Sequence, residues 1–135
     1  AVVCLFADLD NFKQVNDLLG HEEGDQVLRE AAEVLKKTFR ECDLLARIGG
    51  DEFAVLMMQD RGDGWDGEQA VKSVRDRLDR NLELHHGQST RPYRLALSMG
   101  FAVPPAASGV SLDALIAEAD KKMYDEKAAK KKGLG

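Results

Sequence analysis

Arg47-Ile48-Gly49-Gly50-Asp51-Glu52-Phe53 sets two carboxylates on a glycine turn between two apolar runs, Leu44 to Ile48 and Phe53 to Met58. The pattern reads as a β-hairpin of buried strands, and acidic residues at such a turn are poor packing residues. Working outward, Asp8-Leu9-Asp10 closes another apolar run, Val2 to Ala7. That run reads as a central strand covered on both faces and stopped by the acidic residues. A carboxylate at its rim can share a divalent cation with Asp51, which points to metal-dependent phosphate chemistry.

The remaining periodicities supply the frame. Leu28, Ala31, Ala32, Leu35 and Phe39 mark a helix with one buried face, and Val71, Val74, Leu78 and Leu82 mark a second. Leu95, Leu97, Met99, Phe101 and Val103 alternate as a strand does, ended by Pro104-Pro105. Leu112, Leu115, Ile116, Ala119 and Met123 mark a last helix with Ser111 as its N-cap. The polar stretches Gln59 to Gly67 and His85 to Arg91 read as loops. Together these elements predict one α+β domain, helices packed on a mainly antiparallel sheet, without internal repeats.

Composition narrows the function classes. With 135 residues, 44% hydrophobic and 32% charged, the chain has the make-up of one globular domain. A formal charge of -5 argues against a nucleic-acid polymer or an anionic membrane as the partner, because no excess of Lys and Arg covers phosphates. The apolar run at the start is too short to span a bilayer and lacks signal-peptide flanks. Cys4 and Cys42 form neither a disulfide framework nor a metal-ligand pair, so the cytoplasm is the expected setting of the domain. The chain begins without Met inside an expected strand, so we expect a piece of a longer protein. Membrane attachment of that protein through other segments stays open.

Three motifs recur in the order and spacing of one family: Asp8-Leu9-Asp10-Asn11-Phe12-Lys13-Gln14-Val15-Asn16-Asp17, then Gly20-His21-Glu22-Glu23-Gly24-Asp25, then Gly49-Gly50-Asp51-Glu52-Phe53. The chain resembles the diguanylate cyclase, or GGDEF, family from end to end. The resemblance implies a ferredoxin-like core related to nucleotidyl cyclases and polymerase palm domains. It also implies a helical segment and an Asn-Arg turn ahead of the first strand, absent from these residues. The implied activity joins two GTP into cyclic di-GMP with release of two pyrophosphates, using Mg2+ or Mn2+ and a transient homodimer in which each subunit holds one GTP.

Residue by residue, the resemblance makes Asp8, the main-chain carbonyl of Leu9, and Asp51 the metal ligands, with Asp51 also assisting removal of the 3' proton. Glu52 either orders the hairpin or supports the metal and the attacking hydroxyl. Asn16 and Asp25 match the guanine-reading pair, since a carboxylate accepts from both N1-H and N2-H of guanine and finds no such donor pair on adenine. Without the resemblance, Asn16 reads as a helix cap and Asp25 as a first-turn acid. Phe12 and Lys13 fall where the main chain wraps terminal phosphates, and His21 reads equally as a packing or capping residue or as a substrate contact.

Lys127 matches a phosphate-reaching lysine, and Lys131 stands where the family has an arginine, a point charge in place of a fork. Lys130 and Lys132 read as a solvated, dipole-compensating tail, and Asp10 and Asp17 as residues that cap or bend a short helix. Arg40-Glu41-Cys42-Asp43 matches the RxxD product-inhibition site, although an Arg and an Asp three apart usually form an exposed ion pair. Arg75 and Arg77 are both candidates for a second arginine of that site. Two alternatives accompany this reading: a catalytically silent module that binds GTP or cyclic di-GMP to regulate an attached domain, and another metal-dependent nucleotidyl transferase on a palm-like core.

Overall fold

The apolar run at the start of the chain is the centre of the sheet. In the computed structural model, which describes residues 2–59, 62, 64–90, 95–104 and 110–134, it forms β1 (Val2–Leu9). There follow α1 (Phe12–Leu19), α2 (His21–Thr38), β2 (Leu44–Arg47), β3 (Glu52–Met58), α3 (Gly67–Gln88), β4 (Leu97–Ala102) and α4 (Leu112–Leu134). The strands lie in the order β2-β3-β1-β4, with every neighbouring pair antiparallel. This is the expected ferredoxin-like α+β core.

Strand alternation divides β1 between two layers. Val3, Leu5, Ala7 and Leu9 face a core built with α2 and α3. Cys4 and Phe6 face the other way, onto Leu115, Ala119 and Met123 of α4. Asp8 shares the parity of Cys4 and Phe6 and so projects toward α4. The helix comes in close because β4 carries Gly100 opposite Phe6: a Cβ there would lie 2.1 Å from the Ala119 carbonyl oxygen and 2.2 Å from the Met123 nitrogen.

Several sequence expectations change in detail. Asp8 does not stop β1, which continues through Asp8 and Leu9 because Asp8 pairs with both Glu52 and Ser98, and ends directly before Asp10. The first hairpin strand is not buried: β2 is a sheet edge, with Leu44 57% exposed and Ile48, just past its end, 55% exposed. His85 to Gln88 are not loop but the end of α3. Their polar side chains still have inward partners, His85 Nε2 lying 3.4 Å from Glu30 Oε1 and His86 Nε2 bonding the Leu95 carbonyl at 3.0 Å. Arg91, Pro105 and part of the Gln59 to Gly67 stretch lie outside the described residues. Gly67 opens α3, capped by Asp66, whose carboxylate accepts from the Glu68 and Gln69 N–H groups. The Ser111 cap holds: its hydroxyl accepts from the Ala114 N–H at 3.1 Å.

Candidate metal and nucleotide site

Leu115, Ala119 and Met123 form a buried i, i+4 row on α4, and the next member of that row is Lys127. The helix therefore carries a lysine to where β1 carries Asp8. Lys127 Nζ donates to Asp8 Oδ2 at 2.8 Å and reaches the Leu9 carbonyl at 3.5 Å. Asp51 is a neighbour whose charge acts on Asp8, brought there because the Leu9 N–H donates to the Asp51 carbonyl at 3.1 Å. Burial foremost, and then the neighbouring Asp51, push the Asp8 carboxyl from its ordinary 3.8 up to about 6, against the pull of Lys127. For Lys127, burial works against the charge, but Asp8, Asp51 and Asp10 outweigh it and hold its pKa above the ordinary value.

A divalent cation fits this arrangement. Asp8 Oδ1 is buried and, among the described residues, accepts from no donor, and a buried carboxylate oxygen without a partner is costly unless a cation or proton meets it. Asp8, Asp51 and the Leu9 carbonyl offer hard oxygens. Among the described residues no group of three or more His, Cys, Asp or Glu is arranged to hold a metal. The shell is thus incomplete without oxygens from elsewhere, as for Mg2+ held by one or two carboxylates and substrate phosphates.

The hairpin beside it is braced by its own arginine. Arg47 Nε donates to the Gly49 carbonyl at 3.2 Å and an Nη to the Gly50 carbonyl at 2.9 Å. Gly50 has no heavy atom near the place a Cβ would occupy, and its φ is not positive. Among the described residues neither packing nor backbone conformation demands glycine there, and the space over the turn is open. Glu52 leans against Gly49, its Oε2 3.5 Å from where a Cβ would stand.

The α1–α2 pair carries further candidate residues. No side chain caps α1, whose N-cap Asn11 has a left-handed φ of 62°, and the Phe12 and Lys13 N–H groups open its first turn. Gly20, at φ 94°, turns the chain into α2, leaving His21 exposed at the helix start, so its packing reading falls away. Gly24 then admits Asn16: a Cβ on Gly24 would lie 1.8 Å from Asn16 Oδ1. Asn16 is thereby held one residue from Asp25. Asp25 lines a cleft of 390 Å³ with Arg29, Arg47 and Phe53, which joins it to the base of the Gly-Gly hairpin.

Two tail and turn assignments change. Lys130 is not a free solvated tail, since its Nζ donates to Asp10 Oδ2 at 2.7 Å and to the Leu97 carbonyl at 2.7 Å. Asp10 caps no helix and instead also accepts from Ser98 Oγ at 2.6 Å. Lys131 and Lys132 are exposed on the same helix, and Asp17 is exposed in α1. Lys130 was legible as the residue three beyond Lys127, on one helical face. Ser98 carries a weaker signal, the polar residue on the β4 face opposite Leu97 and Met99.

Arg40 and Asp43 are more than an exposed ion pair. Asp43 Oδ2 accepts from the Arg40 N–H at 2.9 Å and Oδ1 from the Met58 N–H at 3.0 Å, with only 4% of that side chain exposed. The Arg40 guanidinium donates to the Met58 carbonyl. Arg77 donates to the Thr38 carbonyl at 2.8 Å, two residues before Arg40. Arg75 instead pairs with Glu126 at 3.0 Å and lies over the Phe101 ring, so the two arginines serve different regions of the molecule.

The four-stranded antiparallel sheet with four helices, carrying Asp8 and the Gly-Gly hairpin at neighbouring strands, is the α+β fold that the resemblance to the GGDEF family implied. The chain belongs to the GGDEF diguanylate cyclase domain family, matching the family described as "Diguanylate cyclase, GGDEF domain" over residues 1–133. It is 34% identical over 126 residues to the probable diguanylate cyclase DgcT of Escherichia coli K12, covering 91% of this chain and 26% of that protein. The chain thus spans about a quarter of that relative's length. Its fold is similar to the GGDEF domain of TpbB from Pseudomonas aeruginosa, with a TM-score of 0.79, 34% identity and coverage of 95% of this chain and 72% of that one. It is also similar to the GGDEF domain of DgcB from Caulobacter crescentus in complex with c-di-GMP, with a TM-score of 0.72, 27% identity and coverage of 95% and 73%.

Proposed function

We propose that this domain is a diguanylate cyclase that condenses two GTP into cyclic di-GMP and two pyrophosphates, with Mg2+ or Mn2+, in a transient homodimer. The observation that carries the reading is the buried, donorless Asp8 Oδ1 beside Asp51 and the Leu9 carbonyl. A bound divalent cation supplies charge neutralisation at the phosphates and acidifies the attacking 3' hydroxyl. Asp8, Leu9 and Asp51 hold it. The Phe12 and Lys13 N–H groups face the terminal phosphates from the start of α1, while Lys127 and Lys131 add positive charge from α4. Asn16 and Asp25 read the guanine edge. His21, exposed at the start of α2, is a candidate substrate contact.

Asp51 also helps to take up the 3' proton, and Glu52 steadies the turn that carries it. The open space over Gly50 suits the close approach of a nucleotide. One bound GTP cannot supply both the attacking ribose and the activated α-phosphate crosswise, so turnover depends on association of two subunits.

Cyclic di-GMP binds the Arg40–Asp43 turn and inhibits. Arg77 supports this reading as the second arginine, since it is anchored at Thr38 close to that turn, whereas Arg75 is engaged by Glu126. One observation favours a second reading, a silent module that binds GTP or cyclic di-GMP: Lys127 already neutralises Asp8 through an ion pair. Incubation with GTP and Mg2+ followed by mass analysis separates the two. Cyclic di-GMP and pyrophosphate support the cyclase; binding of either nucleotide without product supports the silent module.

A further inference from the structure

We infer that Lys130 is a positioning residue for the metal and phosphate site, acting through Asp10 and Ser98; the inference rests on the reading of that site given above. Asp10 stands between the Leu9 carbonyl on one side and Asn11, the left-handed residue that turns the chain into α1, on the other. Both its oxygens are engaged, Oδ1 by Ser98 Oγ at 2.6 Å and Oδ2 by Lys130 Nζ at 2.7 Å. Its N–H donates to the Ala96 carbonyl at 2.9 Å. Lys130 completes the frame by bonding the Leu97 carbonyl at 2.7 Å.

The ammonium therefore joins the end of α4, the start of β4 and the β1–α1 turn at one point. Nothing else described in the chain orients Asp10 from the helix side. Fixing Asp10 fixes the two groups that flank it: the Leu9 carbonyl offered to a cation, and the N–H groups that open α1. Lys127 lies one turn earlier on the same helix and bonds Asp8 directly. The two lysines thus divide the work, one set against a carboxylate of the cation site and one holding the main chain next to it. Partners that orient ligands in this way govern affinity without touching the ion.

The test measures binding of Mn2+ together with the non-cleavable analogue α,β-methylene-GTP, by the loss of the free Mn2+ electron paramagnetic resonance signal, alongside thermal melting. Lys130→Met, which keeps the stem and removes the charge, is expected to weaken binding about tenfold. Lys130→Arg, able to reach both Asp10 and the Leu97 carbonyl, is expected to recover most of it, and Lys132→Met to match the unaltered protein. Ser98→Ala distinguishes positioning from direct phosphate contact, because Ser98 is fully buried and its hydroxyl donates to Asp10. It is expected to weaken binding in the same direction. Unaltered binding in Lys130→Met, or weakened binding in Lys130→Met with none in Ser98→Ala, would overturn the positioning role. Failure of the folded, unaltered protein to bind Mn2+ and the analogue would overturn the reading of the site itself, and this inference with it.

Discussion

Lys127 Nζ lies 2.8 Å from Asp8 Oδ2, at the point where the apolar row of α4 gives way to charge above the rim of β1. The same packing that buries Leu115, Ala119 and Met123 delivers this ammonium to the carboxylate pair. Fold and site are joined there, because the close approach of α4 at Gly100 sets how far Lys127 must reach.

Removing that ammonium should make Asp8 harder to ionise. Lys127→Met leaves burial and Asp51 acting on Asp8 without the opposing charge, so its pKa should rise beyond about 6. Mn2+ binding requires the ionised carboxylate, so the pH at which binding sets in should move upward in the variant. A binding profile identical to that of the unaltered protein would separate Lys127 from Asp8 electrostatically.

The pH dependence of stability follows from the same shift. Asp8 titrates near 3.8 when unperturbed and about 6 in the fold, so its raised pKa favours the folded state most below the lower value. Stability from this group is lost as pH climbs through that window and is constant above it. In the absence of metal, the melting temperature of the unaltered protein should therefore fall relative to Asp8→Asn between the two values. Parallel curves for the two proteins would remove Asp8 as the source.

Gly24→Ala sets two effects against each other. Alanine favours a helix over glycine by about 1 kcal/mol, yet its Cβ would lie 1.8 Å from Asn16 Oδ1. The amide must swing away, and the loss of one hydrogen bond to guanine, about 0.5 to 1.5 kcal/mol, should weaken GTP binding roughly two- to twelvefold. Calorimetric titration with GTP checks it, and unchanged affinity would place base recognition elsewhere.

Arg40→Ala and Asp43→Ala should behave differently. The Asp43 carboxylate satisfies two backbone N–H groups, so its removal should cost about 1 to 3 kcal/mol of stability. Arg40 is 55% exposed, and water can replace its bond to Met58. Arg40→Ala should keep its initial rate and its melting temperature near the original while losing cyclic di-GMP binding and product inhibition. Progress curves with and without added cyclic di-GMP read this directly, and equal inhibition in both proteins would reduce Arg40 to a structural contact.

Much of the frame was legible because local periodicity and global packing agree. The run from Val2 has no polar residue before Asp8 and became the central strand, and the i, i+4 row of α4 could be followed from Leu115 to Lys127. The end of α3 was obscured because His85, His86 and Gln88 look like loop residues by polarity, whereas His85 and His86 find partners in α2 and ahead of β4. The exposure of β2 was hidden for a related reason, since Leu44 and Ile48 are apolar without being covered by anything described. The Lys130–Asp10–Ser98 frame joins three elements far apart in sequence, and only the sheet order brings them together.

Asp8 and Asp51 are the proposed metal-binding pair of a GTP-condensing site. The most direct measurement is the mass of products formed from GTP and Mg2+ by the unaltered protein and by Asp51→Asn, a nearly isosteric change at a half-exposed turn. Cyclic di-GMP and pyrophosphate are expected from the first and neither from the second, with both proteins folded. Near-normal cyclic di-GMP formation by Asp51→Asn would contradict that assignment.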